Sequence, residues 1–189
     1  MRAVIVHGTG GTPGGNWFPW LARELELRGI EVTVPQFPTW EGQSLDAWLE
    51  RFVQEIGSYD GADLLIGHST GAAFLSHILV RRTVPALAAF YVSGYLREIG
   101  VPEYDAVNQT FFADHIDCAR VRKNARTMVV YAGDDDPYVP YVQQQELATK
   151  LRASLRTIPG GGHLNSEVGM TTFKLLRDEI ASVLSGERK

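Results

Sequence analysis

At 189 residues, with 44% hydrophobic and 21% charged side chains, the chain can bury one substantial core without covalent staples and reads as a single domain over 1–189. A formal net charge of −4 with no lysine or arginine stripe excludes a nucleic-acid-binding surface, and Arg81-Arg82 and Arg120 to Arg126 read as solvated faces. Cys118 is the only cysteine, which excludes an intrachain disulfide, and no apolar run reaches membrane-spanning length.

Ala3 to Val6 reads as an opening strand so near Met1 that no signal peptide fits before it, and the expected location is cytoplasmic. Trp17, Trp20, Leu21, Leu25 and Leu27 give the first helix an apolar side that Gly29 ends. Glu31 to Pro35 reads as the second strand. Ser44 caps a second helix carrying Leu45, Trp48, Leu49, Phe52, Val53 and Ile56 on one face. Ala62 to Ile66 is a third strand, and the apolar run from Ala72 to Val80 is a helix suited to burial beneath a sheet. Leu87 to Val92 is the fourth strand. The pattern then loosens from Ser93 to about Arg120, and residues 94–118 occupy the position of a small lid. There Tyr95, Leu96, Tyr104, Phe111 and Phe112 either line a pocket or pack a loop onto the core. Trp17, Trp20 and Trp40 pose the same choice. Thr127 to Ala132 is a strand, Val142 to Ala153 a helix, Leu155 to Ile158 a short strand and Glu167 to Leu184 a long final helix. Strands alternating with helices predict a compact α/β fold: a mostly parallel sheet, helices on both faces and a minimal cap.

Between the third strand and its helix stands Gly67-His68-Ser69-Thr70-Gly71. This fits G-x-S-x-G, a sharp strand-to-helix turn that presents a serine hydroxyl, and a side chain at either glycine would collide with neighbouring backbone. A serine hydroxyl attacks only when a base takes its proton, and the order expected on such a scaffold is Ser, then acid, then His. Asp134, Asp135 and Asp136 follow one strand, and His163 follows the next, after three glycines. All of these lie at carboxyl ends of strands and so on one rim of the sheet. The oxyanion donors expected are the N–H of Thr70, after the nucleophile, and that of Thr9 in His7-Gly8-Thr9-Gly10-Gly11, with Gly10 as a near alternative. His68, His77 and His115 read as structural, whereas His7 is left open.

Other readings of the glycine loop fail on spacing. Pro13 stands where a dinucleotide fingerprint needs its third glycine, and no lysine supplies a phosphate-binding P-loop. The histidines show no metal-ligand spacing, and the aspartate cluster lacks the ligand pattern and glycine of a calcium loop, so neither a metal nor a cofactor is expected. Asn108-Gln109-Thr110 fits a glycosylation acceptor that a cytoplasmic chain would not use.

Taken together, the chain resembles the small serine hydrolase family typified by retinoblastoma-binding protein 9, within the α/β-hydrolases. The resemblance rests on His7-Gly8, Trp17, Trp20, the elbow, Asp135-Asp136-Pro137 with Pro140, the run Gln143-Gln144-Gln145-Glu146, and Gly162-His163 with Asn165. It implies a cofactor-free hydrolase with carboxylesterase-type action on a small-molecule ester, its triad falling on Ser69, Asp136 and His163. Asp136 is preferred because D-x-x-V-P is the acid-bearing turn in resembling hydrolases, with Asp135 the alternative. The L-x-C-x-E motif of the vertebrate member is absent around Cys118, and Leu164 replaces its aromatic after the base. A silent binding module and an amidase or peptidase are the rival readings. No nucleic-acid or membrane partner is expected, and the oligomeric state is not read from the sequence.

Overall fold

The structure, a computed structural model, describes residues 1–113 and 115–186. In chain order the elements are β1 (Arg2–Val6), α1 (Phe18–Glu26), β2 (Glu31–Thr33), α2 (Leu45–Ile56), β3 (Leu64–His68), α3 (Thr70–Arg81) and β4 (Ala86–Val92). There follow α4 (Pro102–Phe112), α5 (Cys118–Lys123), β5 (Ala125–Gly133), α6 (Tyr141–Leu151), β6 (Ser154–Ile158) and α7 (Lys174–Ser185). The six strands form one parallel sheet in the order β2-β1-β3-β4-β5-β6.

The period-2 alternation of the strands divides the core into two layers. Val4, Val6, Leu65, Ala89, Tyr91 and Val130 point to one face, where Trp48 and Phe52 of α2, Leu75 and Ile78 of α3, and Leu147 and Leu151 of α6 cover them. Ala3, Ile5, Leu64, Ile66, Phe90 and Val129 point to the other, beneath Phe18, Leu21 and Leu25 of α1 and Leu176 and Ile180 of α7. Strands buried on both faces have no polar side to show, which is why β3 and β4 read as continuous apolar runs. Ser44 does cap α2: its Oγ accepts from the Ala47 amide at 3.2 Å.

Several boundaries differ from the sequence expectation. Leu27 is 72% exposed beyond the end of α1, and Val53 lies at the solvent edge of α2. The loose segment contains two helices. α4 has Pro102 in its first turn together with Glu103 and Asp105, which suit the positive end of a helix, but buries only Asn108 and Phe111. Its signal therefore lies in the first turn rather than in apolar periodicity. The last helix begins at Lys174, not Glu167, because a 3-10 turn at Ser166–Val168 is stopped by Gly169 in a left-handed conformation.

Candidate active site

β1 and β3 are neighbours, yet the chain leaves β1 toward β2 and leaves β3 toward β4, on opposite sides. The loops after these two strands therefore diverge and open a crevice at their carboxyl ends, the usual place for a ligand in an open parallel sheet. The loop after β1 turns at Gly8–Gly11, where the Gly11 amide donates to the Gly8 carbonyl at 3.0 Å and Gly10 takes φ 73°. A Cβ on Gly8 would lie 2.8 Å from Ser69 Cβ, so this backbone packs directly on the serine.

Ser69 sits between β3 and α3 at φ 57°, ψ −122°, a strained conformation for a residue with a side chain. Its amide donates to the Val92 carbonyl at 2.8 Å. A Cβ on Gly67 would lie 2.5 Å from the Gly71 carbonyl oxygen and 2.7 Å from the Ala72 amide. One on Gly71 would run into the carbonyls of Val6 and His7. Both glycines are thus demanded by backbone approach, as the motif requires. Thr70 is the first residue of α3, so its amide has no carbonyl a turn earlier to bond and is free for a ligand.

The three consecutive aspartates have three different partners. Asp134 accepts from the Gly160 amide at 2.8 Å and Asp135 from the Gly162 amide at 2.7 Å. Asp136 alone among them reaches His163, whose Nδ1–H donates to Oδ2 at 2.8 Å and Oδ1 at 3.0 Å. Asp136 Oδ1 also accepts from the amides of Tyr138 and Val139, at 2.9 and 3.0 Å, and Oδ2 from Gln144 Nε2 at 3.1 Å. Burial pushes the Asp136 carboxyl up, but the His163 bond and the two amides outweigh it and hold the group below the ordinary carboxylate range. The carbonyl of His163 is held as firmly as its ring, accepting from His68 Nε2–H at 2.9 Å and Ser93 Oγ at 3.1 Å.

Ser69 and His163 line one cavity of about 200 Å³, with Gly8 to Gly11, Asn16, Tyr95, Tyr104, Tyr138 and Glu167 among its walls. Tyr138 packs edge-on to His163 with ring centroids 5.0 Å apart, and Trp40, Tyr104 and Tyr138 form a row of aromatic rings along the rim. Glu167 accepts from Tyr138 Oη at 3.1 Å and sets a carboxylate at the mouth.

The remaining candidates sort out on these contacts. Tyr95 and Tyr104 line the cavity, whereas Phe111 is core and Leu96 and Phe112 pack against it. Trp17 is fully buried and donates Nε1–H to the Leu164 carbonyl at 2.9 Å, bracing the histidine loop from behind. Trp20 lies under Arg177, away from the site. His7 is a strut: Nδ1–H donates to the Gly8 carbonyl at 2.8 Å and Nε2 accepts from the Phe37 amide at 3.0 Å. His68 is buried against Trp17, Phe18 and His163, and burial drives its pKa down to about 3, so it stays neutral. Gln43, Asn108 and Gln144 escaped the sequence reading as site residues. Only the glutamine run hinted at Gln144, and Asn108, read as a glycosylation acceptor, is buried. Among the described residues no group of three His, Cys, Asp or Glu side chains could hold a metal, and no helix is long and apolar enough to cross a membrane.

Comparison with known proteins identifies the family and the fold. A family model described as serine hydrolase matches residues 3–182. YdeN of Bacillus subtilis is 25% identical over 192 residues, covering 100% of this chain and 98% of its own. The serine hydrolase RBBP9 of Rattus norvegicus is 27% identical over 187 residues, covering 97% and 96%. The crystal structure of YdeN superposes with a TM-score of 0.88 at 24% identity, covering 97% of this chain and 98% of that one. Est1E of Butyrivibrio proteoclasticus, solved with ferulic acid bound, gives 0.74 at 16% identity, covering 98% and 88%.

Proposed function

Because the chain belongs to the serine hydrolase family, we propose that it is a carboxylic ester hydrolase that cleaves small to medium acyl esters through an acyl-enzyme on Ser69. The observation that carries this reading is the His163–Asp136 bond of 2.8 Å beside a cavity whose wall includes Ser69. In the proposed reaction Ser69 Oγ attacks the ester carbonyl carbon and His163 Nε2 takes the hydroxyl proton. Asp136 holds Nδ1–H and so keeps Nε2 free to accept. The amides of Thr70 and Thr9 receive the negative charge that develops on the carbonyl oxygen. Collapse of the tetrahedral intermediate returns the proton to the leaving alcohol. Water, activated by the same imidazole, then releases the acid and restores Ser69. The modest cavity volume and the aromatic rim support a small or medium uncharged acyl group, and the Glu167 carboxylate disfavours an anionic one.

A fluorophosphonate probe tests the nucleophile. It is expected to label the wild type and not Ser69→Ala, and matched p-nitrophenyl ester and p-nitroanilide substrates should show the ester turning over faster. A folded wild type that takes no label would make the chain a binding module. Faster turnover of the anilide would make it an amidase.

A further inference from the structure

Behind the two amides assigned to the oxyanion, four side chains from four segments close a ring of hydrogen bonds. They are Thr9 after β1, Thr70 at the start of α3, Tyr95 after β4 and Asn108 in α4; Thr70, Tyr95 and Asn108 are at most 2% exposed. Proton counting fixes the direction of every bond. Asn108 Oδ1 is a carbonyl oxygen and only accepts: it takes Gln43 Nε2–H at 2.6 Å and the Thr9 hydroxyl at 3.1 Å. Thr9 has one hydroxyl hydrogen and has spent it there, so in the Thr9–Thr70 bond of 3.0 Å Thr70 is the donor. Thr70 has then spent its own hydrogen, so in the Tyr95–Thr70 bond of 2.8 Å Tyr95 is the donor. Asn108 Nδ2–H reaches Tyr95 Oη at 3.5 Å and completes the circuit. Bonds that all run one way around a ring polarise one another in the same sense. Ser69 precedes Thr70 in the chain and lines the same cavity as Tyr95, so the ring lies beside the nucleophile.

We propose that this ring positions the oxyanion site. Asn108 of α4 sets its direction, and the Thr9–Thr70 hydroxyl bond keeps the loop after β1 and the first turn of α3 at the separation that two donors to one oxyanion require. The proposal rests on the reading of Ser69 as nucleophile. It also gives α4 a part in the reaction beyond lining the cavity with Tyr104. Thr9, Thr70 and Asn108 act as positioning residues through their side chains.

Thr→Val exchange tests it, since valine keeps the shape and the backbone N–H and removes only the hydroxyl. Loss of an oxyanion donor costs about 100- to 1,000-fold in kcat; loosening two donors without removing either should cost less. We expect Thr9→Val, Thr70→Val and Asn108→Leu each to lower kcat about tenfold per fluorophosphonate-titrated site, with KM within about twofold of wild type. Binding of a trifluoromethyl ketone, whose adduct places an oxyanion in the site, should weaken about tenfold in parallel. Thr70→Ser, which restores the hydroxyl, should recover most of the kcat lost in Thr70→Val. The double variant Thr70→Val/Asn108→Leu should be no worse than about tenfold down, because both changes break one ring, whereas independent packing defects multiply to about a hundredfold. Unchanged kcat in the valine variants overturns the proposal, as does multiplicative loss in the double variant or a Thr70→Ser defect equal to that of Thr70→Val. If wild type labels and turns over while these variants match it, only the ring fails. If wild type takes no label, the nucleophile assignment fails first.

Discussion

Replacing Asp136 by asparagine swaps one oxygen for an amide, and the contacts of the carboxylate dictate how that amide must sit. Oδ1 accepts from the backbone amides of Tyr138 and Val139, so the new NH2 cannot take that side without facing two donors. It must take the Oδ2 side, where it meets His163 Nδ1 and Gln144 Nε2. At the shorter of its two contacts His163 Nδ1 then faces a donor, and the surviving Oδ1 at 3.0 Å is a neutral amide oxygen already accepting two backbone amides, so the ring shifts toward the tautomer with its proton on Nε2, where it cannot receive one from Ser69. On the proposed mechanism kcat should fall about 10⁴-fold, the size of the same tautomer error in a serine protease triad, or about 5.5 kcal/mol of barrier. The neighbouring variants provide the control. Asp134 and Asp135 each use one oxygen to accept one glycine amide, which an asparagine Oδ1 also does, so Asp134→Asn and Asp135→Asn should stay within about threefold of wild type. The assay is steady-state p-nitrophenyl ester hydrolysis, with circular dichroism confirming the fold of each variant. A loss in Asp135→Asn as deep as in Asp136→Asn would refute the reasoning, because the acid would then be a residue that does not touch the base.

Two further predictions concern the scaffold. The pKa of His68 is lowered to about 3 by burial, against about 6.5 when unfolded, so the unfolded chain takes up a proton that the folded one refuses. Stability from this group is complete above pH 6.5 and is lost as pH falls from there toward 3, about 2 kcal/mol between pH 7 and pH 5. Urea titrations at those two pH values should show that drop, with His7 adding in the same direction, and His68→Gln should shrink the difference. An unaltered difference in the variant would place the acid sensitivity elsewhere. For the elbow, Gly71→Ala pushes a methyl into the carbonyls of Val6 and His7, which lie in and just beyond the neighbouring strand, and should cost about 3 kcal/mol or leave the protein insoluble. Gly14→Ala, with open space around it, should be neutral in the same thermal melt. Equal melting temperatures for the two would mean that the elbow relaxes at little cost.

What was legible in the sequence is what the backbone demands of single residues. Gly67 and Gly71 flank Ser69 because only a missing Cβ permits those approaches, and a run such as Leu64-Leu65-Ile66 is apolar because both sheet faces are covered. The loops bearing Thr9, Asp136 and His163 were found for the same reason, each following a strand that periodicity identifies. Partners joined only by the fold left no such trace. Asn108 meets Thr9 across 99 positions and Gln43 across 65, and no local pattern links them. α4 was missed because it buries little and so shows no apolar stripe. Glu167 has a high helical propensity, but the left-handed turn at Gly169 separates it from the last helix.

The aspartate triplet shows how the sheet itself aims the histidine. β5 and β6 are paired in parallel to their last residues, Gly133 opposite Ile158, so the two loops leave the sheet side by side. Gly133 has no side chain where the Gly162 carbonyl presses against it, which lets the loops stay in contact after the ladder ends. From there the carboxylates take over the pairing: Asp134 to the Gly160 amide, Asp135 to the Gly162 amide, Asp136 to the imidazole. The first two bonds continue the strand pairing by side chain instead of backbone, and the third turns the same register toward the cavity. Asp136 reaches His163 because two residues before it have already fixed how far along the opposing loop it lies. A loop of three glycines could not hold an imidazole in place by its own conformational preferences, since glycine loses the most freedom on ordering. Its order is imposed from β5, from Trp17 behind Leu164, and from His68 and Ser93 on the His163 carbonyl.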